Sequence, residues 1–296
     1  MIGVLAQGRL GNQMFQYSFA YAVSRKLNTR FFIHNHSTLH YFDLFENFKK
    51  ENLRNTLYFA LRNIFRKSRI VFSLSDLKKP IAFLFNRAVN KNIRVWNNTI
   101  DPNNFLLQKI ENNVLYDGYF QSEDYFKEFK EDIKKLFEIR PQYQKSFLDK
   151  KKHLFDKKCI VIHLRRTDYV NYGDEILGGT DMTLPIAYYK KCLSLIKDTN
   201  QYNVIFVSDD MEFVKKEFGS GGNYFYESNN VITDFQLLLN ADILIISNSS
   251  FSWWAAWLNN KANKLIYAPN YFTGFKIKKF YPAGIKVDDW NWVDVN

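Results

Sequence analysis

One histidine, two arginines and one aspartate stand together in segment 163–168, directly after the apolar run 159–162. Such a run predicts a buried parallel strand, and ligands of open α/β sheets bind at the carboxyl ends of these strands. Because side chains alternate along a strand, we expect His163 and Arg165 on one side and Arg166 on the other, reaching back to the aspartate. Two interpretations are open: a guanidinium that binds an anion, or an ion-paired strand end without a ligand.

A second cluster of polar residues, Ser247-Asn248-Ser249-Ser250, follows the apolar run 243–246 and precedes a predicted helix that begins at Phe251. Backbone amides at the start of a helix, together with hydroxyl groups, suit the binding of a phosphate. A helix cap formed by Ser249 or Ser250 would explain one serine, but not the whole cluster. We therefore favour a phosphate site here.

The N-terminal segment Gly8-Arg9-Leu10-Gly11-Asn12-Gln13 joins a short apolar strand, residues 2–7, to a predicted helix from Met14 to Leu27. Two glycines at a strand-to-helix turn let backbone amides approach a ligand closely. The segment is not a Walker loop, since no Gly-Lys-Ser/Thr follows. Asn12 stands at the mouth of the turn, where it is either a helix cap or a contact to substrate.

Asp209 and Asp210 follow another predicted strand, residues 203–208. Paired carboxylates bind a divalent metal in some sugar transferases, but they also commonly cap strand ends. No second acidic cluster is evident in the sequence to complete a magnesium site. We therefore predict a mechanism without a metal, in which arginines neutralise the phosphates of a leaving group.

The net charge of +11 is concentrated in the segment from Lys49 to Arg94, which carries twelve basic and two acidic residues and so +10 of the total. This basic block also contains the apolar runs 57–61 and 81–85. We predict a solvated helical insertion, with amphipathic basic helices against an anionic membrane surface as the alternative. A nucleic-acid-binding protein is a weaker interpretation, because it leaves the arginine and serine clusters unexplained.

Strands and helices alternate along the chain, which predicts an α/β protein with two Rossmann-like domains facing a cleft. The polar, lysine-rich stretch 141–158 separates a domain of residues 1–150 from a domain of residues 151–296. No leader and no membrane-spanning run is evident, and Cys159 and Cys192 are predicted to be buried and reduced. These features predict a cytoplasmic protein.

The predicted elements are short and regularly spaced. In the first half they are strands 2–7, 31–34 and 114–120 and helices 14–27 and 122–137; in the second half they are strands 159–164, 203–208, 224–226, 243–246 and 265–268 and helices 186–196, 211–218, 234–240 and 251–258.

Four motifs, taken together, resemble the bacterial α-1,2-fucosyltransferases of glycosyltransferase family 11, which are related by motifs to protein O-fucosyltransferases and α-1,6-fucosyltransferases. The likeness spans nearly the whole chain, except for the basic block 49–94, which matches no motif. The four motifs are Gly8 to Tyr17, Tyr116 to Ser122, His163 to Asp168 and Ser247 to Trp254.

The resemblance implies two domains of the GT-B type, GDP-fucose as donor, no metal, and inversion at the fucose carbon. It implies that Arg165 holds the donor diphosphate and that Asn12 faces the reacting sugar. The remaining residues of the donor site would then be His163 and Asp242 at the guanosine end, Ser249 and Ser250 at the phosphates, and Gly11, Arg166, Asn248 and Phe251 around them. Asp168 is our first candidate for the base that deprotonates the acceptor, and Asp117 is the second.

The activity expected from these features is transfer of fucose from GDP-fucose to the 2-hydroxyl of a terminal galactose in a surface glycan. GDP-fucose is then a co-substrate, and no cofactor is expected. A transferase with another nucleotide sugar or another linkage is the main alternative. A lectin is disfavoured, because lectins are usually built from β-sandwiches rather than from alternating strands and helices.

Overall fold

A computed structural model describes residues 1–34, 36–67, 93–95, 110–111 and 114–295. The chain divides into two compact units, residues 1–138 and 139–296. The second unit opens with a helix, Pro141–Lys151, within the polar stretch 141–158 that is predicted to separate the domains. Proline is favoured in the first turn of a helix, where its missing N–H costs nothing, and this explains the helix start. The predicted boundary at residue 150 lies inside this helix.

The first unit contains a four-stranded parallel sheet in the order β2-β1-β4-β3. The strands are β1 (Ile2–Leu5), β2 (Phe31–His34), β3 (Ile93–Val95) and β4 (Leu115–Asp117). The helices are α1 (Leu10–Lys26), α2 (Leu44–Lys67) and α3 (Lys130–Leu136). Segment 122–137, predicted as one helix, forms two short 3-10 turns before α3.

Helix α1 packs on this sheet through aromatic side chains. Phe19 stacks on Phe120 with ring centroids 3.8 Å apart and planes at 7°. Tyr17 contacts Phe48 and Phe137 edge to face at 5.2 and 5.7 Å. Tyr17 also contacts Phe31 of β2 at 5.5 Å and Phe19 contacts Tyr116 of β4 at 6.3 Å, so these rings hold α1 on the sheet.

Helix α2 covers the outer edge of the first sheet. The side-chain amide of Asn52 accepts from the Ile33 N–H at 2.6 Å and donates to the Ile33 carbonyl at 2.9 Å. Asn55 donates to the Phe31 carbonyl at 2.8 Å. Strand β2 is the end strand of the sheet, so these amides satisfy backbone groups that no neighbouring strand pairs.

The basic block 49–94 is not one uniform insertion. Its first part is helix α2, which begins at Leu44, and its last part enters β3, which pairs with β4. The rest of the block, including the apolar run 81–85, lies outside the described residues.

The second unit contains a six-stranded parallel sheet in the order β10-β9-β8-β5-β6-β7. Its strands are β5 (Cys159–Leu164), β6 (Asn203–Ser208), β7 (Tyr224–Glu227), β8 (Ile243–Ile245), β9 (Leu265–Pro269) and β10 (Asn291–Val293). Its helices are α4 (Pro141–Lys151), α5 (Ile186–Ser194), α6 (Met211–Phe218), α7 (Val231–Leu239) and α8 (Ser250–Leu258).

The central strand β5 lies between β8 and β6, and all six of its residues are buried. All its pairings are parallel, so the segments that follow β5, β6 and β8 leave the sheet at one edge. These segments are 165–168, 209–210 and 246–249. The α/β fold with parallel sheets is therefore confirmed, and the sheet brings three of the predicted clusters to a common edge. Among the described residues, no helix is long and apolar enough to cross a membrane.

Candidate functional site

The Arg165 guanidinium is held by two carboxylates. One terminal nitrogen lies 2.6 Å from Oδ1 of Asp168, and the other lies 3.0 Å from Oδ2 of Asp209. The side chain is 17% exposed, so the cation is largely screened from water but still reaches the surface of the strand edge. A guanidinium has five N–H donors, so two contacts do not exhaust its capacity to bind an anion.

Arg166 lies beside Arg165 but turns toward the end of β6. Its Nε lies 3.2 Å from Oδ2 of Asp210, and its guanidinium carbon lies 3.3 Å from the centre of the Phe213 ring. The expected contact between Arg166 and Asp168 is therefore wrong, because Arg165 makes it instead. The alternation of a strand ends with β5 at Leu164, and the backbone then turns.

Asp209 organises the loop that follows β5. Its carboxylate accepts from the Arg166 N–H at 2.9 Å and from the Thr167 hydroxyl at 2.5 Å, besides its contact with Arg165. Asp210 caps helix α6 by accepting from the Phe213 N–H at 3.3 Å. Both carboxylates thus act as strand-end and helix-end acceptors that are paired with arginines.

His163 is buried at the end of β5, where its Nδ1 lies 2.9 Å from the Ser247 hydroxyl. Its ring lies 5.5 Å from that of Phe251. Burial lowers the pKa of His163 to about 4, although the nearby Asp209 carboxylate acts in the opposite direction. The imidazole is therefore neutral near pH 7 and presents a hydrogen-bonding edge rather than a charge.

The Ser247 to Ser250 cluster forms the junction between β8 and α8. Ser249 is the N-cap of α8, where its hydroxyl accepts from the Phe251 N–H at 3.3 Å, and Ser250 is the first helical residue. Asn248 is fully buried and donates to the Met182 carbonyl at 2.9 Å. Its Oδ1 has no hydrogen-bond partner in the described part of the chain. The helix-cap interpretation accounts for Ser249, whereas the buried amide has an acceptor still to satisfy.

The structure does not bring Asp242 to this cluster. Asp242 precedes β8 and accepts from the Cys159 N–H at 2.8 Å, and Lys261 lies 2.9 Å from its other oxygen. Cys159 begins β5, whereas His163 lies near its end, so Asp242 lies at the amino edge of the sheet, roughly 13 Å of strand away. Asp242 therefore does not lie beside His163, although both were expected at the guanosine end of the donor.

In the first unit, Gly8 and Asn12 shape the turn between β1 and α1. Gly8 has a φ of +68°, and Arg9 occupies the N-cap position of α1. Helix α1 begins at Leu10 rather than Met14, so Gly11 lies buried in its first turn, and Asn12 is a helical residue rather than the cap. The Asn12 Oδ1 accepts from Nε2 of Gln121 at 2.9 Å.

Two buried glutamines that are not among the predicted site residues hold this turn in place. Gln13 donates to the Gly8 carbonyl at 3.1 Å, and its Oε1 accepts from the Ser37 N–H at 3.0 Å. Gln16 accepts from the Gln7 N–H at 3.1 Å and donates to the carbonyl of Gly118 at 3.0 Å. The sequence does contain a signal for them: two amides stand three residues apart on a mostly apolar helix. Buried amides need several hydrogen-bond partners, so such a pair indicates contacts to the surrounding backbone.

Comparison with known proteins places this chain among the glycosyltransferases. It belongs to glycosyl transferase family 11, whose family model matches residues 1–293.

Two relatives from Escherichia coli are similar over nearly their whole length. The O-antigen biosynthesis glycosyltransferase WbnK is 27% identical over 96% of this chain and 97% of its own. An alpha-1,2-colitosyltransferase is 30% identical over 93% of this chain and 94% of its own.

Two solved structures share the fold at low sequence identity. POFUT1 in complex with GDP has a TM-score of 0.51 at 11% identity, over 88% of this chain and 95% of that one. The NodZ alpha-1,6-fucosyltransferase co-crystallized with GDP has a TM-score of 0.50 at 10% identity, over 86% and 91% of the two chains. At these identities the similarity concerns the fold.

Proposed function

We propose that this glycosyltransferase moves L-fucose from GDP-fucose to the 2-hydroxyl of a terminal galactose in a surface glycan, with inversion and without a metal. We propose that its two α/β units act as the two Rossmann-like domains of a GT-B enzyme. The observation that carries the proposal is the Arg165 guanidinium, which Asp168 and Asp209 fix at the strand edge that also bears the start of α8.

The proposed role of Arg165 follows from the charges that develop during transfer. As the bond from fucose to phosphate breaks, the sugar carbon becomes cationic and the departing diphosphate gains negative charge. A cation that is already in place stabilises this change without further reorganisation. Ser249, Ser250 and the first amides of α8 are proposed to bind the same phosphates, because the start of a helix attracts anions.

The other donor contacts are proposed from their places beside Arg165. His163 offers a neutral ring nitrogen and Phe251 offers a ring to the nucleotide, whereas the fully buried Asn248 is proposed to support the start of α8 from behind. Arg166 contributes through its positive charge, although its Nε pairs with Asp210. Asp242 is left out of this set.

Asn12 and Asp168 are proposed to act at the reacting sugar. Asn12, with Gly11 behind it in the first turn of α1, would face the fucose. Asp168 remains the proposed base for the acceptor hydroxyl, with Asp117 as the alternative, but its 2.6 Å contact with Arg165 supports a positioning role as well. Loss of the base should alter the pH profile of turnover, whereas loss of positioning should lower turnover at every pH.

We also propose that the enzyme acts in the cytoplasm, with contact between the first part of the basic block and an anionic membrane surface as the alternative to a solvated insertion. Helix α2 exposes Leu53, Leu57 and Tyr58 near Lys49 and Arg54, a combination typical of helices that lie on membranes. Sedimentation with anionic vesicles tests this contact, and a chain that stays in the supernatant at low salt contradicts it.

Transfer of colitose is a second candidate, favoured by the 30% identical colitosyltransferase. Colitose is L-fucose without the 3-hydroxyl, so the two donors differ by a single oxygen. A site that hydrogen-bonds this hydroxyl discriminates strongly against the deoxy sugar, whereas a site that merely leaves room for it discriminates weakly. The relative turnover of the two donors therefore decides between the candidates.

The test is a panel of donors and acceptors with the purified full chain. GDP-fucose, GDP-colitose and a uridine-linked sugar are each incubated with lactose, lacto-N-biose and N-acetyllactosamine. We expect release of GDP only with a guanosine-linked donor, and an α-1,2 linkage to galactose by NMR. Turnover of the uridine-linked sugar alone would overturn the proposal, and turnover of GDP-colitose alone would favour the second candidate.

A further inference from the structure

We infer that Gln121 is a positioning residue that sets the direction of the Asn12 amide. The inference deepens the proposed function and rests on it, since Asn12 is proposed there to face the reacting sugar. The observation behind it is the hydrogen bond from Gln121 Nε2 to Asn12 Oδ1 at 2.9 Å, which joins the segment after β4 to the first turn of α1.

This bond fixes the orientation of the Asn12 amide. An asparagine amide has one oxygen that accepts and one nitrogen that donates. Because Gln121 binds the oxygen, the N–H donors of Asn12 lie at the end of the amide beside the Gly8 turn. A donor is the group that an oxygen gaining negative charge requires, as the oxygen of the departing diphosphate does.

Gly8 closes the opposite side of Asn12. A Cβ added at Gly8 would lie 2.2 Å from Asn12 Nδ2, so the amide nitrogen packs directly against the Gly8 backbone. The Asn12 side chain thus lies between the Gly8 backbone on one side and the Gln121 amide on the other. Both Asn12 and Gln121 are half-buried, so this arrangement lies at the surface of the unit, where a ligand has access.

Gln121 is itself held by α1. Its neighbour Phe120, which has a φ of +52°, stacks on Phe19 of α1, seven residues after Asn12 and hence on the same face of the helix. On the other side, the Ser122 N–H donates to the Phe120 carbonyl at 2.9 Å. The helix that carries Asn12 therefore also places the residue that orients it.

The hydrogen bond of Gln121 differs in kind from those of the two buried glutamines of α1. Gln13 and Gln16 bond mainly to backbone groups and so hold the turn together. The Gln121 amide donates to the side chain of Asn12. Its loss should therefore alter the orientation of one amide and leave the fold in place.

The test is a double-mutant cycle on the full chain with GDP-fucose and lactose. The variants are Gln121→Ala, Asn12→Ala and the two together, and Gln142→Ala, exposed on α4, is the control. We expect Gln121→Ala to lower kcat about 10- to 100-fold with little change in KM for the donor. We expect it to cause less than about a twofold further loss in the Asn12→Ala background, because the residue acts through Asn12.

Two further variants separate orientation from folding. Gln121→Met keeps the size of the side chain but has no donor, and it should lose kcat as Gln121→Ala does while its Tm stays at the wild-type value. Gln121→Glu can only accept, so it should draw the Asn12 nitrogen toward itself and lower kcat further than Gln121→Met. Each Tm is measured to confirm that the variant folds.

Full activity of folded Gln121→Met, or equal losses from Gln121→Ala with and without Asn12, would overturn the inference. Wild-type activity of Asn12→Ala would overturn it together with the proposed role of Asn12. If the wild-type chain uses another nucleotide sugar, the proposed donor is wrong. The double-mutant cycle can then be repeated with that nucleotide sugar as donor, and its result tests the role of Gln121 in the same way.

Discussion

At the scale of single residues, the contacts of Arg165 set what the site can do. Asp168 and Asp209 each hold one terminal nitrogen, so the guanidinium has a fixed direction before a donor binds. Two carboxylates outnumber the single positive charge, so a diphosphate would bind to the remaining N–H donors of Arg165 rather than to a net positive charge. This balance favours a role in transition-state stabilisation, where the shape of the cation matters as much as its charge.

Arg165→Lys should therefore fail to replace arginine. A single ammonium cannot meet both carboxylates and a phosphate in the geometry of the planar fork. We expect kcat to fall roughly 100-fold or more, with a smaller change in KM for GDP-fucose, measured by GDP release. Arg25→Lys, exposed on α1, is the matched control and should behave as the wild type. A lysine variant with kcat within about threefold of the wild type would contradict this role.

The buried His163 predicts a dependence of stability on pH. Its pKa is about 4 in the folded chain and 6.5 as the reference value, so the unfolded chain binds the proton more readily. Stability from this residue is complete above pH 6.5 and is lost as pH falls toward 4. Between pH 7 and pH 5 the loss is roughly 2 kcal/mol in the free energy of unfolding.

Urea denaturation of the wild type and of His163→Gln at the two pH values measures this contribution. The variant should lose less stability than the wild type between pH 7 and pH 5, while His153→Gln, at an exposed position, should match the wild type. Equal pH dependence in all three proteins would show that His163 is not held in its neutral form by burial.

At the scale of elements, the turn between β1 and α1 depends on one glycine. Gly8 has a φ of +68°, which residues with a side chain adopt only at a cost, and its Cα lies against the Asn12 amide. The turn is further held by Gln13 and Gln16, whose amides are bonded to the surrounding backbone. A side chain at position 8 therefore has to move Asn12 rather than the turn.

Gly8→Ala should lower both stability and turnover. The backbone conformation costs about 1–2 kcal/mol for a residue with a side chain, and the new Cβ would displace Asn12. We expect a lower Tm and a kcat reduced about 10-fold or more. Gly222→Ala is the matched control, because a Cβ there meets nothing within 4 Å. Normal kcat in Gly8→Ala would show that the position of Asn12 does not limit the reaction.

The bounds of an element were predicted best where the sequence marks both of its ends. Strands β2, β5 and β6 have the predicted bounds because each is built on a buried apolar run, and helix α6 has them because Asp210 caps its start and Gly219 follows its end. Strand β10 was missed, since its three residues have no such run. The start of α1 was misplaced because Gly11 and Asn12 are weak helix formers that are held here by tertiary contacts.

The sequence predicts at which edge of the sheet a site residue lies, but it does not predict contacts that depend on which strands are neighbours in the sheet. His163, Arg165 and Ser247 follow or end apolar runs, so they lie at the carboxyl edge of the sheet. Asp242 precedes such a run, and its place at the amino edge was readable from that order. The carboxylate that pairs with each arginine could not be predicted, because Asp209 and Asp210 follow a different strand.

At the scale of the whole molecule, a parallel sheet in each unit and the family 11 match agree with the α/β glycosyltransferase that the sequence predicted. Parallel sheets collect loop residues from distant parts of the chain at one edge. In the second unit, arginines after β5 meet the paired aspartates after β6 in this way. The acidic pair is thereby engaged with cations that belong to the protein itself.

Activity should therefore persist in an excess of chelator. If the guanidinium groups and the start of α8 neutralise the diphosphate, turnover of GDP-fucose in EDTA should lie within about twofold of its value in magnesium. The initial rate of GDP release after dialysis against chelator measures this. Abolition of activity by EDTA, with recovery on addition of magnesium, would overturn the proposed metal-free mechanism.

The Asn52 amide has a consequence for solubility. By both donating to and accepting from Ile33, it imitates an adjoining strand along the outer border of the first sheet. An open border of this kind is a template on which a second polypeptide can add by β-augmentation. With its N–H and carbonyl both bonded to Asn52, Ile33 does not offer these groups to such a second chain.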